Sequence, residues 1–255
     1  MTYFQSFILA VVEGVTEFLP VSSTGHLILA SAILKIPQSD FVKSFELFIQ
    51  LGAIFAILFL YRSSLFKIRL WLKVFTAFLP TAFLGLLFYK TVKRILLGNV
   101  MVTVTALLLG GIFMIVFEIF FREKDTQLKN IENFSYQKAL MLGVGQSLSF
   151  IPGVSRAMAT IFSGIFLGLS RKSAVEFSFL LAVPTMFAAT ILDVIKSDLS
   201  LSAEEYLLLG IGFAGSFLTA LIVVKYFITY INKHNFILFG VYRIIISLVF
   251  FYSFL

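Results

Sequence analysis

Apolar residues run almost without interruption through most of this chain, and the interruptions organise it. Six stretches, about 44–61, 71–90, 100–121, 175–194, 206–229 and 237–254, approach or exceed the roughly 20 apolar residues that a helix needs to cross a bilayer. Two further apolar regions are broken. Residues 1–34 are interrupted by Glu13, Glu17, Pro20 and the run Ser22-Ser23-Thr24-Gly25, and residues 138–170 by Gly143, Gly145, Gln146, Pro152, Gly153 and Arg156. Each break leaves two half-length helices, which predicts hairpins that enter the bilayer and return to the same side. Unwound backbone at that depth is tolerated only where protein buries it or where it lines a wet cavity.

The two breaks resemble each other. Aligned without a gap, Phe18 falls on Phe150, Leu19 on Ile151, Pro20 on Pro152 and Ser23 on Ser155. The expected fold is an all-α polytopic membrane protein with an inverted-topology repeat, each repeat a re-entrant helical hairpin followed by three transmembrane helices. It forms one membrane domain, 1–255, with repeat 1 over about 1–121 and repeat 2 over about 138–255. A hairpin returns to its own side and three crossings do not, so the second repeat is inverted and the two tips can meet near the midplane. Broken helices converge on the binding site of many transporters in this way.

Composition narrows the class. Charged residues make up 13% of the chain against about a quarter in soluble domains, and mean hydropathy is +1.02. The net charge of +7 does not indicate a nucleic-acid partner, because the basic residues lie in short loops between apolar runs. They instead set orientation and meet anionic lipid headgroups. Under the repeat model, six Lys and Arg (Lys35, Lys43, Lys90, Lys93, Arg94, Lys196) share a side with both termini. Twelve lie opposite: Arg62, Lys67, Arg69, Lys73, Arg122, Lys124, Lys129, Lys138, Arg171, Lys172, Lys225 and Lys233. The richer side is expected to be cytoplasmic, with the termini and the mouth of the first hairpin facing outward and the polar loop 122–137 inside. With no cysteine, disulfides and thiolate chemistry are excluded. The N-terminus has neither the positive region nor the small-residue cleavage site of a removed signal peptide.

Candidate chemistry lies at the breaks. Glu13 and Glu17 are spaced i, i+4, which puts both carboxylates on one helix face. Ionisable groups at membrane depth are costly and usually paired, facing a cavity and functional. Two such carboxylates suit a divalent cation, Mg²⁺ or Ca²⁺; the bland alternative is a solvated hairpin mouth. Pro20 ends one half-helix, and Ser22 or Ser23 can cap the next, whose free N–H groups then form an anion site. His26 lies three residues beyond Ser23, so a hydroxyl, an imidazole and a carboxylate are close in sequence, as in an activated nucleophile. Ordinary capping and a structural histidine explain the same run equally well. In the second break Ser155 can cap a half-helix that opens with Arg156, a side chain suited to bidentate phosphate recognition. The arginine can equally be a plain counter-ion to the glutamates. Arg243 is a candidate supporting partner, Glu118 and Glu176 are expected to snorkel to an interface, and His234 to be solvated.

Glu13-Gly14-Val15-Thr16-Glu17-Phe18-Leu19-Pro20-Val21-Ser22-Ser23-Thr24-Gly25-His26 resembles the first signature of the bacterial undecaprenyl pyrophosphate phosphatases, the BacA-type family. Pro152-Gly153-Val154-Ser155-Arg156, with Thr160 downstream, resembles the second. The resemblance extends over the whole chain in length and hydropathy. It implies an integral phosphatase of the bacterial inner membrane that converts undecaprenyl pyrophosphate to the monophosphate, recycling the carrier for cell-wall synthesis and associated with bacitracin resistance. The implied catalytic residues are Glu13, Glu17, Ser23, His26 and Arg156. Ser22, Thr24, Ser155, Gly153 and Thr160 would bind substrate, and Glu13 and Glu17 a Mg²⁺ or Ca²⁺ ion. The partners are the polyprenyl pyrophosphate and membrane lipids, with a homodimer also considered. Ser23 as nucleophile with His26 as base is the favoured mechanism, and a phosphohistidine on His26 the second. One departure stands out: the family usually follows Ser-Arg with Ser-Gly, and here Ala157-Met158 follow. A lipid-phosphate flippase or anion transporter would suit the same architecture.

Overall fold

The computed structural model describes residues 1–88, 100–121, 127–196 and 201–254. Lys90, Lys93, Arg94, Arg122 and Lys124 of the charge comparison lie outside the described residues, as do the end of the crossing expected at 71–90 and part of the 122–137 loop.

The broken N-terminal region forms two half-helices, α1 (Tyr3–Thr16) and α2 (Ser23–Ile33). At the start of α1 the Thr2 hydroxyl accepts from the Gln5 N–H, and the Gln5 side chain accepts from the Thr2 N–H. That reciprocal cap satisfies amides which a helix start otherwise leaves unpaired. Three long helices follow: α3 (Asp40–Leu60), α4 (Ile68–Leu87) and α5 (Val100–Phe120). The second broken region forms α6 (Tyr136–Gln146), a 3₁₀ turn at Ser147–Phe150 and α7 (Arg156–Phe166). Then come α8 (Arg171–Lys196), α9 (Ala203–Ile231) and α10 (Ile237–Phe254). Five of these, α3, α4, α5, α8 and α9, are long and apolar enough to cross a membrane; α10, at 18 residues, coincides with the sixth expected crossing.

The packing exchanges partners between the halves. Helix α1 packs on α9, and its counterpart α6 packs on α4. Helix α3 packs on α9 and α8 on α4, while α3 meets α8 and α5 meets α10. Close approach needs small residues at these crossings. A Cβ on Gly143 would stand 1.9 Å from the Ala77 carbonyl oxygen, and one on Gly14 would stand 2.7 Å from that of Ser216. The main core centres on α7 and α8, where Phe162, Phe177, Phe179 and Leu181 are buried. Nearly all of α7 is enclosed, as a half-helix inside a bundle must be. Phe66, Phe83 and Phe120 point outward, as expected of aromatic side chains that meet lipid.

Glu118 departs from expectation. It does not snorkel: its side chain is 1% exposed, and its carboxylate accepts from Arg171 at 2.6 Å and from the Phe236 N–H at 3.1 Å. It thereby ties α5 to the starts of α8 and α10. His234 is exposed, as expected, and stacks on Tyr230.

Candidate active site

Both hairpins turn on a serine in an unusual conformation. Ser22 precedes α2 with φ 74°, and Ser155 precedes α7 with φ 69°, a region that non-glycine residues seldom enter and that clusters at functional sites. Gly153, at φ 93°, supplies the left-handed step that the second turn also needs. These caps correct the ungapped alignment by one position. Ser22, not Ser23, corresponds to Ser155, so Ser23 and Arg156 are the matching first residues of α2 and α7. Only Ser155 caps with its side chain, accepting from the Met158 N–H at 3.2 Å.

Those two first residues meet on Glu17. The Ser23 hydroxyl donates to Glu17 Oε2 at 2.6 Å, and Arg156 Nη2 donates to Glu17 Oε1 at 2.8 Å. Arg156 Nη1 donates to the Ser178 carbonyl at 2.8 Å and to its hydroxyl at 3.2 Å. The Thr160 hydroxyl donates to the Arg156 carbonyl at 2.9 Å and also contacts the Ser178 hydroxyl. The guanidinium lies over the Phe18 ring, itself edge-on to Phe179. Exposure of 7% for the arginine and 2% for the glutamate makes this a buried ion pair. Each partner therefore depends on the other, since an uncompensated buried charge costs several kcal/mol.

Three buried polar atoms at this site have no hydrogen-bond partner among the described residues: both carboxylate oxygens of Glu13, and Nε of Arg156. Glu13 is wholly buried, beside the Glu17 carboxyl, and Glu46 on α3 adds to the negative field around it. Orphaned groups of this kind in a native structure call for an explanation, such as an ion or ligand. Two free carboxylate oxygens suit a hard cation, and a free guanidinium donor beside them suits an anion.

His26 lies one turn beyond Ser23. Its Nδ1 is 2.8 Å from the Ser22 carbonyl oxygen, which can only accept, so Nδ1 carries a proton. Nε2 stands 2.7 Å from the Tyr242 hydroxyl, and the rings stack at 5.5 Å. In the neutral ring Nε2 accepts from that hydroxyl.

The structure thus brings Glu13, Glu17, Ser23, Arg156 and Thr160 together, with Ser22 and His26 adjacent. Thr24 is exposed instead of facing this network. Ser155 serves as a cap, and Gly153 shapes the turn. Ser23, expected to have His26 as its base, donates its hydrogen bond to Glu17 instead, and His26 is held by Ser22 and Tyr242. Sequence reasoning missed Ser178, Tyr242 and Glu46. A serine and a glutamate within apolar crossings were signals, but nothing in the local pattern said which way they face.

Residues 6–249 match the model of a protein family described as bacitracin resistance protein BacA. The chain belongs to the BacA family. Relatives include the undecaprenyl-diphosphatases of Aquifex aeolicus, 51% identical over 98% of both chains, and of Wolinella succinogenes, 49% identical over 98% of this chain and 97% of the relative. That of Methanococcus aeolicus is 41% identical over 98% and 97%. At the positions where the resemblance leads one to expect Ser-Gly, Ala157 is fully buried in the core and Met158 lies over Gly110. The Met158 sulfur is 3.2 Å from where a Gly110 Cβ would be, so the missing side chain on α5 makes room for the larger residue on α7.

Proposed function

We propose that this chain is an undecaprenyl-diphosphatase, an integral membrane enzyme that hydrolyses undecaprenyl pyrophosphate to the monophosphate and inorganic phosphate. Membership of the BacA family and full-length relatives bearing that name support the activity. The single observation that carries the site is the meeting of Ser23 and Arg156 on buried Glu17, next to the unpartnered Glu13. In this role the enzyme recycles the carrier for cell-wall synthesis and raises tolerance to bacitracin.

The reaction asks for charge neutralisation and a positioned nucleophile more than for covalent help. Arg156 opens α7, and its free Nε joins the positive ends of the two half-helices in holding the pyrophosphate. Ser23 Oγ attacks the terminal phosphorus while Glu17 Oε2, already its acceptor, takes the proton. The bond to the bridging oxygen breaks, and that oxygen leaves on the lipid monophosphate. Water then cleaves the phosphoserine, releasing inorganic phosphate and restoring the hydroxyl. His26, hydrogen-bonded to the Ser22 carbonyl and the Tyr242 hydroxyl, would meet the phosphate by exchanging its bond to Tyr242. Glu13 and Glu17 fit a divalent cation, since Glu13 offers two buried free oxygens and Glu17 neighbours it. Two protein carboxylates with the remaining positions left to phosphate and water is the usual arrangement for Mg²⁺. Such an ion, when bound, would neutralise phosphate charge.

The repeat reading draws support from the exchange of helix partners and from the two matching serine caps. With the basic loops inside, the site opens to the outer face of the cytoplasmic membrane.

Phosphate release from undecaprenyl pyrophosphate by detergent-purified protein, with Mg²⁺ and with chelator, tests the activity where no gradient exists. Release abolished by Glu17→Ala and Arg156→Ala is expected; no release from the wild type would favour the transport reading. Rapid quenching tests the nucleophile: a phosphoenzyme that survives Ser23→Ala but is lost with His26→Ala would overturn the serine mechanism.

A further inference from the structure

A charge sealed inside an apolar bundle is tolerated when its hydrogen-bonding groups are satisfied. Arg243 on α10 is fully buried and heads the large side chains that are. It forms no ion pair among the described residues; its acceptors are five backbone carbonyls. Nε donates to Leu107 at 3.3 Å, Nη1 to Pro20 at 3.1 Å and Val154 at 3.3 Å, and Nη2 to Ala106 at 3.0 Å and Gly153 at 2.7 Å. A guanidinium has five N–H donors, so the set matches its full capacity.

The identity of the acceptors matters. Pro20 lies in the first turn, Gly153 and Val154 in the second, and Ala106 and Leu107 on α5. Where a helix breaks, its carbonyls lose their intrahelical donors and need others. One side chain supplies donors to both breaks at once. The site is shaped for it: a Cβ on Gly110 would stand 2.3 Å from Arg243 Nη2. The preceding residue on the same helix, Tyr242, holds His26. Two consecutive residues of α10 thus grip the imidazole and both hairpin turns.

We infer that Arg243 is a positioning residue that locks the two turns in register, so that Glu17 and Ser23 of the first meet Arg156 of the second. The inference rests on the active-site reading given above. It predicts an effect on turnover that exceeds any effect on substrate affinity, because the guanidinium contacts backbone and not the candidate ligand-binding groups. Lysine cannot substitute, since one ammonium with three donors cannot span five carbonyls.

The test uses purified full-length protein whose fold is checked by gel filtration and thermal unfolding. In Arg243→Lys, kcat is expected to fall about 100-fold while KM changes less than about threefold, the loss that a misplacement of about 1 Å brings. Arg243→Ala is expected to regain turnover with added guanidinium and not with ammonium. A folded Arg243→Lys with wild-type kcat, or a loss confined to KM, would overturn the inference. If both variants fail to fold, Gly110→Ala displaces the guanidinium by a single methyl and is expected to lower kcat about tenfold. A folded Gly110→Ala with wild-type kcat would likewise overturn it. Glu17→Gln is measured alongside. Full activity there would sink the site reading itself; an inactive Glu17→Gln beside a fully active Arg243→Lys would sink only the role of Arg243.

Discussion

Where the first hairpin carries Glu13 and Glu17 before its turn, the second carries Gln146 there, with Lys138 at the far end of that half-helix, and Arg156 comes directly after the turn. Glu13 precedes Ser22 by nine residues, as Gln146 precedes Ser155. Both are buried, yet their surroundings differ. The Gln146 amide donates to the Thr81 and Thr185 hydroxyls, at 2.8 and 3.2 Å, whereas Glu13 has no donor among the described residues. The two turns differ in length, the outer half-helix ending at Thr16 in the first and at Gln146 in the second, yet a serine at positive φ opens each inner half-helix. A shared backbone device has been given complementary side chains: acid and hydroxyl on one copy, guanidinium on the other. Neither copy holds the site alone. The asymmetry is one of donors and acceptors: the Gln146 amide nitrogen is tied to α4 and α8, while its Oε1, like both Glu13 oxygens, has no partner among the described residues.

The sharpest way to break this comparison is at the ion pair that joins the copies. Arg156→Ala is expected to lower stability by about 3–5 kcal/mol, by leaving Glu17 charged and unpaired, and to reduce kcat about 10³-fold. Removing both charges in Glu17→Gln/Arg156→Met restores much of the stability and none of the activity, as unfolding and phosphate-release measurements would read. Stability recovered together with activity would contradict the assigned roles. Placing the acid on the other copy, Gln146→Glu, is expected to cost about 3 kcal/mol in detergent unfolding at neutral pH, since the new carboxylate lacks a cationic partner. The reverse exchange, Glu13→Gln, is expected to raise the melting temperature while lowering turnover about 100-fold and weakening Mg²⁺ dependence. An unchanged response to chelator would remove Glu13 from the cation site. The smallest effect concerns the caps. Ser155→Ala costs about 1 kcal/mol because its hydroxyl accepts from the Met158 N–H, while Ser22→Ala, with no such bond, costs a few tenths.

Much of this was legible in the chain. The five long apolar helices and the two breaks follow from the cost of unpaired polar backbone in lipid, which leaves few alternatives to continuous helix. Glu13, Glu17 and Arg156 stood out because charge is rare and expensive at that depth. The alignment of the breaks was off by one, since a turn can absorb an extra residue such as Gly153 without changing the local pattern. The pairing of Ser23 with His26 in the sequence depends on a related local argument. Residues three apart share a helix face, but Glu17 and Tyr242 compete for their hydrogen bonds from other segments. Glu118 looked like an interfacial residue because its partner Arg171 is 53 residues away in sequence.

By itself, then, the sequence determined the helical membrane architecture, the places where helices break, and the family, because hydropathy and turn chemistry are local. Only the tertiary structure decided which groups meet: Arg156 on Glu17, Tyr242 on His26, and Arg243 on carbonyls of both turns. Those contacts depend on how remote helices pack, and distances between remote segments are set by the whole bundle rather than by any stretch of it.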